Sequence, residues 1–213
     1  MQRPRTDLEE NREKLIKCAE AIIREHGAID FTMADLAAEA GMSQTNVFRF
    51  FENKDALAEA MAGRWFAELI EIVEDLVEAD MPARQKLFEF FARRLAIKRA
   101  RFKENPELFR SYMELGEQHF EVVRGYVDLN DHFMAIILAE AMEEGYFEGL
   151  ELDEIVSLVN AMVQPFCNPM LIKDMMPLAN ETRLQQVIDT ILAGLKARPL
   201  DPPQKKAVLH LAK

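Results

Sequence analysis

Four polar side chains stand in succession at Ser43, Gln44, Thr45 and Asn46, and three phenylalanines follow at positions 48, 50 and 51. Glutamine and asparagine amides can bond bidentately to the edge of adenine, while serine and threonine reach several base edges or, through the threonine methyl, the thymine methyl. If the quartet opens a helix, free backbone N–H groups and the positive dipole end also face a phosphate. The same four residues taken alone read equally well as a solvated, capped turn. If Val47 and Phe50 or Phe51 turn inward as anchors, Phe48 and Arg49 are left nearer a nucleic acid.

Such a quartet needs a scaffold, and the flanking sequence supplies one. Residues 8 to 26 place Leu8, Leu15, Cys18, Ala19, Ile22 and Ile23 on one helical stripe, with Gly27 as a stop. A second, short helix is predicted from Met33 to Gly41. Thr32 and Asp35 there have the spacing of a capping box, and Phe31 and Leu36 that of a hydrophobic staple. Alanines at 34, 37, 38 and 40 let another helix approach closely. Ser43 then caps about two further turns, so two short helices joined through a glycine form a helix-turn-helix pattern. Asn53 caps a long helix in which Leu57, Met61, Trp65 and Leu69 recur every four residues, long enough to link two halves.

Beyond it, Pro82 and Pro106 mark helix starts, giving helices over about 82–103 and 106–115. Further helices are predicted over 118–145, 151–166 and 180–197, with Pro169 and Pro177 punctuating an irregular stretch. The whole reads as all-α, about nine helices. A helix-turn-helix domain occupies 1–53, a larger helical bundle 54–198, and 199–213 is expected to be a mobile tail.

The stretch FTMADLAAEAGMSQTNVFRFFENKDAL resembles the signature of the TetR family of bacterial transcriptional regulators. Its Thr-x-x-Asp-Leu-Ala-x-x-Ala-Gly-hydrophobic-Ser core, spaced aromatic pair and Lys-x-x-Leu helix opening occur in order across about residues 10–60. The resemblance implies a homodimer whose N-terminal helices bind a palindromic double-stranded DNA operator. It also implies that the bundle binds a small-molecule effector. Thr32 and Lys54 would then contact phosphates, and Ser43, Gln44, Thr45 and Asn46 bases or backbone, with Phe48 and Arg49 beside them. The family usually carries tyrosine where this chain has Phe48, so one phosphate hydrogen bond is missing and Arg49, with Arg3 and Arg5 of the arm, carries more of the contact. Repression relieved by ligand is the commoner behaviour.

Composition narrows the alternatives. A net charge of −11 argues against bulk electrostatic binding to nucleic acid or anionic membrane, and residues 1–57 hold 8 basic and 11 acidic groups. That balance keeps open an all-α interaction or ligand-binding module without sequence-specific DNA binding. Two distant cysteines and the lack of a long apolar run at the start fit a cytoplasmic protein with no membrane partner. The four histidines form no Glu-x-x-His or His-x-x-x-His pair, and no phosphate loop or nucleophile elbow occurs, so neither enzyme activity, metal nor cofactor is expected.

Phenylalanine and methionine enrich the bundle, which suits an adaptable pocket for an apolar or aromatic effector. Candidate lining residues are Trp65, Phe91, Phe109, Tyr112, Met113, Tyr126, Phe133, Met162 and Phe166. Residues 93–103 pack six basic groups into eleven positions; a solvated face is the favoured reading and recognition of an acidic effector or partner the sharper one. Two apolar stripes, including Ile155 and Val159 on one helix and Leu184, Val187, Ile188 and Ile191 on the other, could form a four-helix dimer interface or face their own core.

Overall fold

The computed structural model describes residues 5–26 and 30–196, and among these every regular element is helical. Its helices are α1 (Arg5–His26), α2 (Met33–Ala40), α3 (Gln44–Val47), α4 (Lys54–Glu78), α5 (Ala83–Glu104) and α6 (Pro106–Gln118). They continue as α7 (Phe120–Glu143), α8 (Leu152–Met162), α9 (Gln164–Cys167), α10 (Ile172–Met175) and α11 (Glu181–Gly194). A 3-10 turn spans Pro169–Leu171. The Gly27 stop, the arm residue Arg3 and the 199–213 tail lie outside the described residues. Arg5 already belongs to the first turn of α1.

Among the described residues eleven α-helical segments stand where about nine are predicted: one expected helix divides into α8 and α9, and α10 forms within the stretch expected to be irregular. The 151–166 helix breaks at Val163 (φ −94°, ψ 4°). Pro165, two residues on, lacks an N–H and crowds the carbonyl of the preceding turn, so α9 restarts with proline in its first turn. α3 is regular only to Val47. Arg49 and Phe50 then donate three residues back, to the carbonyls of Asn46 and Val47, tightening the coil where two helical turns are expected.

Two apolar cores share the long helix α4. The first gathers Leu15, Ile23, Leu36, Val47 and Phe51 from α1–α3 around Leu57, Met61 and Trp65 of α4, and takes in Phe109 and Tyr112 of α6. The second packs Val73 and Leu76 of α4 with Phe90, Phe91, Leu138, Ile155, Val159, Leu184 and Ile188. The first core therefore crosses the boundary expected at residue 53. Each half of α4 is gripped by a different layer, so a shift of α4 in one core displaces the other, because close-packed interiors transmit strain.

A candidate nucleic-acid interface and the bundle beneath it

Local sequence accounts for the shape of the N-terminal unit. Thr32 (φ −98°, ψ 164°) caps α2, accepting from Asp35 N at 3.2 Å while its own N and Oγ1 donate to Asp35 Oδ2 at 2.8 and 2.7 Å. The Thr32 hydrogen bonds hold the Asp35 carboxyl below its ordinary value. Gly41 closes α2 at φ 64°, a left-handed conformation that favours glycine, and the chain turns directly into Ser43. Ser43 Oγ accepts from Asn46 N at 3.2 Å and starts α3.

The predicted division of the opening motif is what the structure shows. Val47, Phe50 and Phe51 are buried, anchoring α3, while Ser43, Gln44, Thr45 and Arg49 are exposed, Asn46 is half-buried and Phe48 is 43% exposed. Phe48 therefore presents part of an aromatic ring to solvent beside the polar quartet. Lys54 begins α4 with its Nζ 4.9 Å from the centre of the Phe31 ring, tying the start of α4 to the start of α2.

Thr32, for which the resemblance implies a phosphate contact, is hydrogen-bonded within its own capping box. Both of its donors are committed to Asp35, whose carboxylate occupies the N-terminus of α2 where a phosphate would sit. Two further α1 residues escaped sequence reasoning. Arg12 donates to Phe50 O at 2.5 Å with its guanidinium 4.3 Å from the Phe51 ring, and Lys14 Nζ donates to Ala40 O at 2.7 Å. Lys14 holds the C-terminal end of α2, where cations and carbonyls attract, and Arg12 holds the turn that follows α3. Arg12 stands three and seven residues before Leu15 and Ala19 of the predicted stripe, and Lys14 four before Cys18 at its edge, so helical spacing could have flagged both.

The bundle gathers the candidate pocket residues less neatly than composition suggests. Phe109 and Met113 line a cavity of about 230 Å³ with Phe102, Arg110, Met170 and Ile172. Trp65 and Tyr112, stacked at 4.2 Å, instead border a polar cleft of about 430 Å³ with Glu20, Arg64 and Arg101. Phe91 and Phe166 are buried in the second core, Tyr126 stacks on Phe66 at 5.4 Å, Phe133 packs at the margin of that core, and Met162 is 42% exposed. Among the cavities of the described residues these two divide four of the nine candidates between them; aromatic content marks the core before it marks a pocket.

The dimer stripes need the same correction. Ile155, Val159, Leu184, Ile188 and Ile191 are fully buried within their own chain, and Val187 is half-buried. These five side chains have no exposed surface and face their own core, whereas Met162 at the end of the same α8 stripe is 42% exposed. The outward side of α8 instead carries Leu158 (36% exposed) and Met162, one turn apart.

The basic run is not a solvated face. Only Arg93 and Lys103 are exposed. Lys98 is 4% exposed and donates to Cys167 O at 2.6 Å and Phe166 O at 3.3 Å. Arg99 donates to Met176 O and Ala179 O, and Arg101 lies 4.0 Å from the centre of the Trp65 ring while bonding Glu68. Arg94 packs over Phe90 at 5.0 Å. Carbonyls at or just beyond the ends of α9 and α10 draw Lys98 and Arg99 inward, while aromatic rings cover Arg94 and Arg101.

Among the described residues no cluster of histidine, cysteine, aspartate or glutamate could hold a metal ion, and no helix is long and apolar enough to cross a membrane.

A helix-turn-helix with an outward polar start to its second helix, set on a long helix that enters a separate bundle, defines a helix-turn-helix regulator. Comparison with known proteins extends this. Residues 15–61 match the family described as bacterial regulatory proteins, tetR family, and residues 83–188 match the tetracyclin repressor-like C-terminal domain. The chain belongs to the TetR family of ligand-responsive transcriptional regulators, whose regulatory domains are not enzymes. It is 23% identical over 144 residues to the fatty acid metabolism regulator protein of Bacillus subtilis (strain 168), covering 65% of this chain and 72% of that one. Among solved structures it is similar to FadR from Bacillus subtilis in complex with stearoyl-CoA, with a TM-score of 0.61, 17% identity, and coverage of 86% of this chain and 98% of that one. It also resembles SmeT, the repressor of the Stenotrophomonas maltophilia multidrug efflux pump SmeDEF, with a TM-score of 0.64, 21% identity, and coverage of 85% and 88%. At those identities the likeness to the structures concerns the fold.

Proposed function

We propose that the chain represses transcription as a homodimer bound to a palindromic operator and releases it when an apolar acyl compound enters the bundle. The observation that carries the DNA-reading half is the outward set of Gln44, Thr45, Asn46 and Arg49 on a helix locked by buried Val47, Phe50 and Phe51. In this reading the Gln44 and Asn46 amides address base edges, Ser43 and Thr45 bases or backbone, and Arg49 and Lys54 phosphates. Phe48 contributes apolar contact only. Thr32 reaches a phosphate only by surrendering its bonds to Asp35.

Support for the effector class comes from two sides. The apolar cavity under Phe102, Phe109 and Met113 suits a hydrocarbon tail, and a relative of similar fold was solved with stearoyl-CoA. Subunit contact through the exposed Leu158 and Met162 face of α8 leaves the bundle core intact.

The test is selection of duplexes from a random pool by the full-length protein, followed by binding measurements on the enriched sequence. Gln44→Ala and Asn46→Ala are expected to lose sequence discrimination by about 1–3 kcal/mol each while retaining helical content. Failure to enrich any duplex would instead favour an interaction module that does not read DNA.

A further inference from the structure

α5 carries two cations inward on successive turns, Arg94 and Lys98, and no ion pair neutralises either among the described residues. Lys98 is satisfied only by the carbonyls of Phe166 and Cys167, which leaves one of its three ammonium donors over. The Arg94 Nε is shielded from solvent and has no hydrogen-bond partner. On α7, the Oδ1 of the buried Asn130 is likewise unpartnered, its amide nitrogen being held by Tyr126 O at 2.8 Å. Asp131 lies close enough to favour the charge on Arg94, yet it accepts its hydrogen bond from Asn160.

Burial of charge is tolerated where a partner repays the lost hydration, and the known partners here are incomplete. Desolvation draws the Lys98 ammonium down to about 8, and Arg94 adds to that pressure. One further turn along α5 from Lys98 stands Phe102, a wall of the apolar cavity of about 230 Å³. At 1.5 Å per residue the two positions are about 6 Å apart along the axis. Pro169 and Met170, which close that cavity, follow within three residues of the carbonyls that hold Lys98. Neither cation lines that cavity itself, but Lys98 stands about one turn and Arg94 about two turns, roughly 12 Å, along the same helix from its Phe102 wall.

We propose that Arg94 and Lys98 form the head-group end of the effector site, taking the carboxylate of a fatty acid whose tail enters the cavity walled by Phe102, Phe109, Met113 and Met170. This rests on the acyl-effector reading and deepens it: the buried cations select a compact, desolvated anion rather than a bulky thioester. The planar guanidinium gives direction to the carboxylate, and the Lys98 ammonium supplies the second charge-assisted bond.

The experiment is calorimetric titration of the full-length protein with decanoate, decanol and decanoyl-CoA, repeated on Arg94→Met, Arg94→Lys and Lys98→Met. Decanoate is expected to bind the natural protein at least tenfold more tightly than decanol, with Arg94→Met erasing that preference and Lys98→Met reducing it, each by weakening decanoate far more than decanol. Arg94→Lys, which keeps the charge, controls for folding and is expected to retain part of the preference. Equal binding of decanoate and decanol, tighter binding of decanoyl-CoA, or an Arg94→Met protein that still prefers the acid overturns the head-group assignment alone. Absence of binding by all three compounds overturns the acyl-effector reading as well.

Discussion

The Tyr112 hydroxyl of α6 donates to Glu20 Oε1 of α1 at 2.5 Å, joining the bundle directly to the first helix of the DNA-reading unit. Glu20 is only 9% exposed, with Arg64 and Arg24 each 3.7 Å away, and Trp65 stacks on the Tyr112 ring. Burial, reinforced by the Glu20 charge, pushes the phenol well above its ordinary value, so it remains a donor throughout the physiological range. Tyr112→Phe leaves a buried carboxylate short of its main partner. The expected cost is about 1.5–3 kcal/mol of stability, read by denaturant unfolding, while Glu20→Gln, which keeps an acceptor, loses less.

Phe48 supplies the next expectation. Its ring is 43% exposed beside the quartet and belongs to neither buried core, so Phe48→Tyr is expected to place its added hydroxyl toward solvent. Binding to the selected operator is expected to tighten by about 1 kcal/mol, with unfolding unchanged. No gain in affinity would place residue 48 away from the phosphate backbone.

Ile191 and Met162 separate core from interface. Ile191 has no exposed surface, so Ile191→Asp buries an unpaired charge and is expected to cost more than about 4 kcal/mol, leaving little folded protein. Met162→Asp on the exposed side of α8 is expected to give a folded monomer by analytical ultracentrifugation. A folded Met162→Asp dimer would move the interface elsewhere.

Much of this architecture was legible because single residues specify it locally. Thr32, Gly41, Ser43 and Asn53 each punctuate a helix through a cap that involves only neighbours in sequence. The inward turn of Val47, Phe50 and Phe51 followed from the same local pattern. Long-range choices were not legible. An acidic Glu20 on α1 looked like solvent-facing charge until Tyr112, 92 residues away, met it, and the basic run on α5 looked solvated until the ends of α9 and α10 came to Lys98 and Arg99. Apolar stripes likewise reveal a buried face without saying whether the burial is within one subunit or between two.

Lys98 gives a pH dependence of definite sign. Its folded value of about 8 lies below the ordinary 10.5, so the folded state holds the charged form poorly. The penalty is fully present below pH 8 and is relieved as pH rises from about 8 toward 10.5, where the unfolded chain also gives up its proton. Lys98→Met is therefore expected to be the more stable protein at neutral pH, with the advantage shrinking across that window in thermal melts. A constant difference would mean that Lys98 keeps its ordinary affinity for the proton.

The central claim is that ligand in the bundle and operator at α3 oppose one another through the shared helix α4. It is tested most directly by measuring operator Kd with and without saturating decanoate, and decanoate Kd with and without saturating operator. Linkage requires the two factors to be equal, and a coupling of about 1–3 kcal/mol makes each roughly 5- to 150-fold weaker. An operator affinity unchanged by saturating ligand would contradict the account.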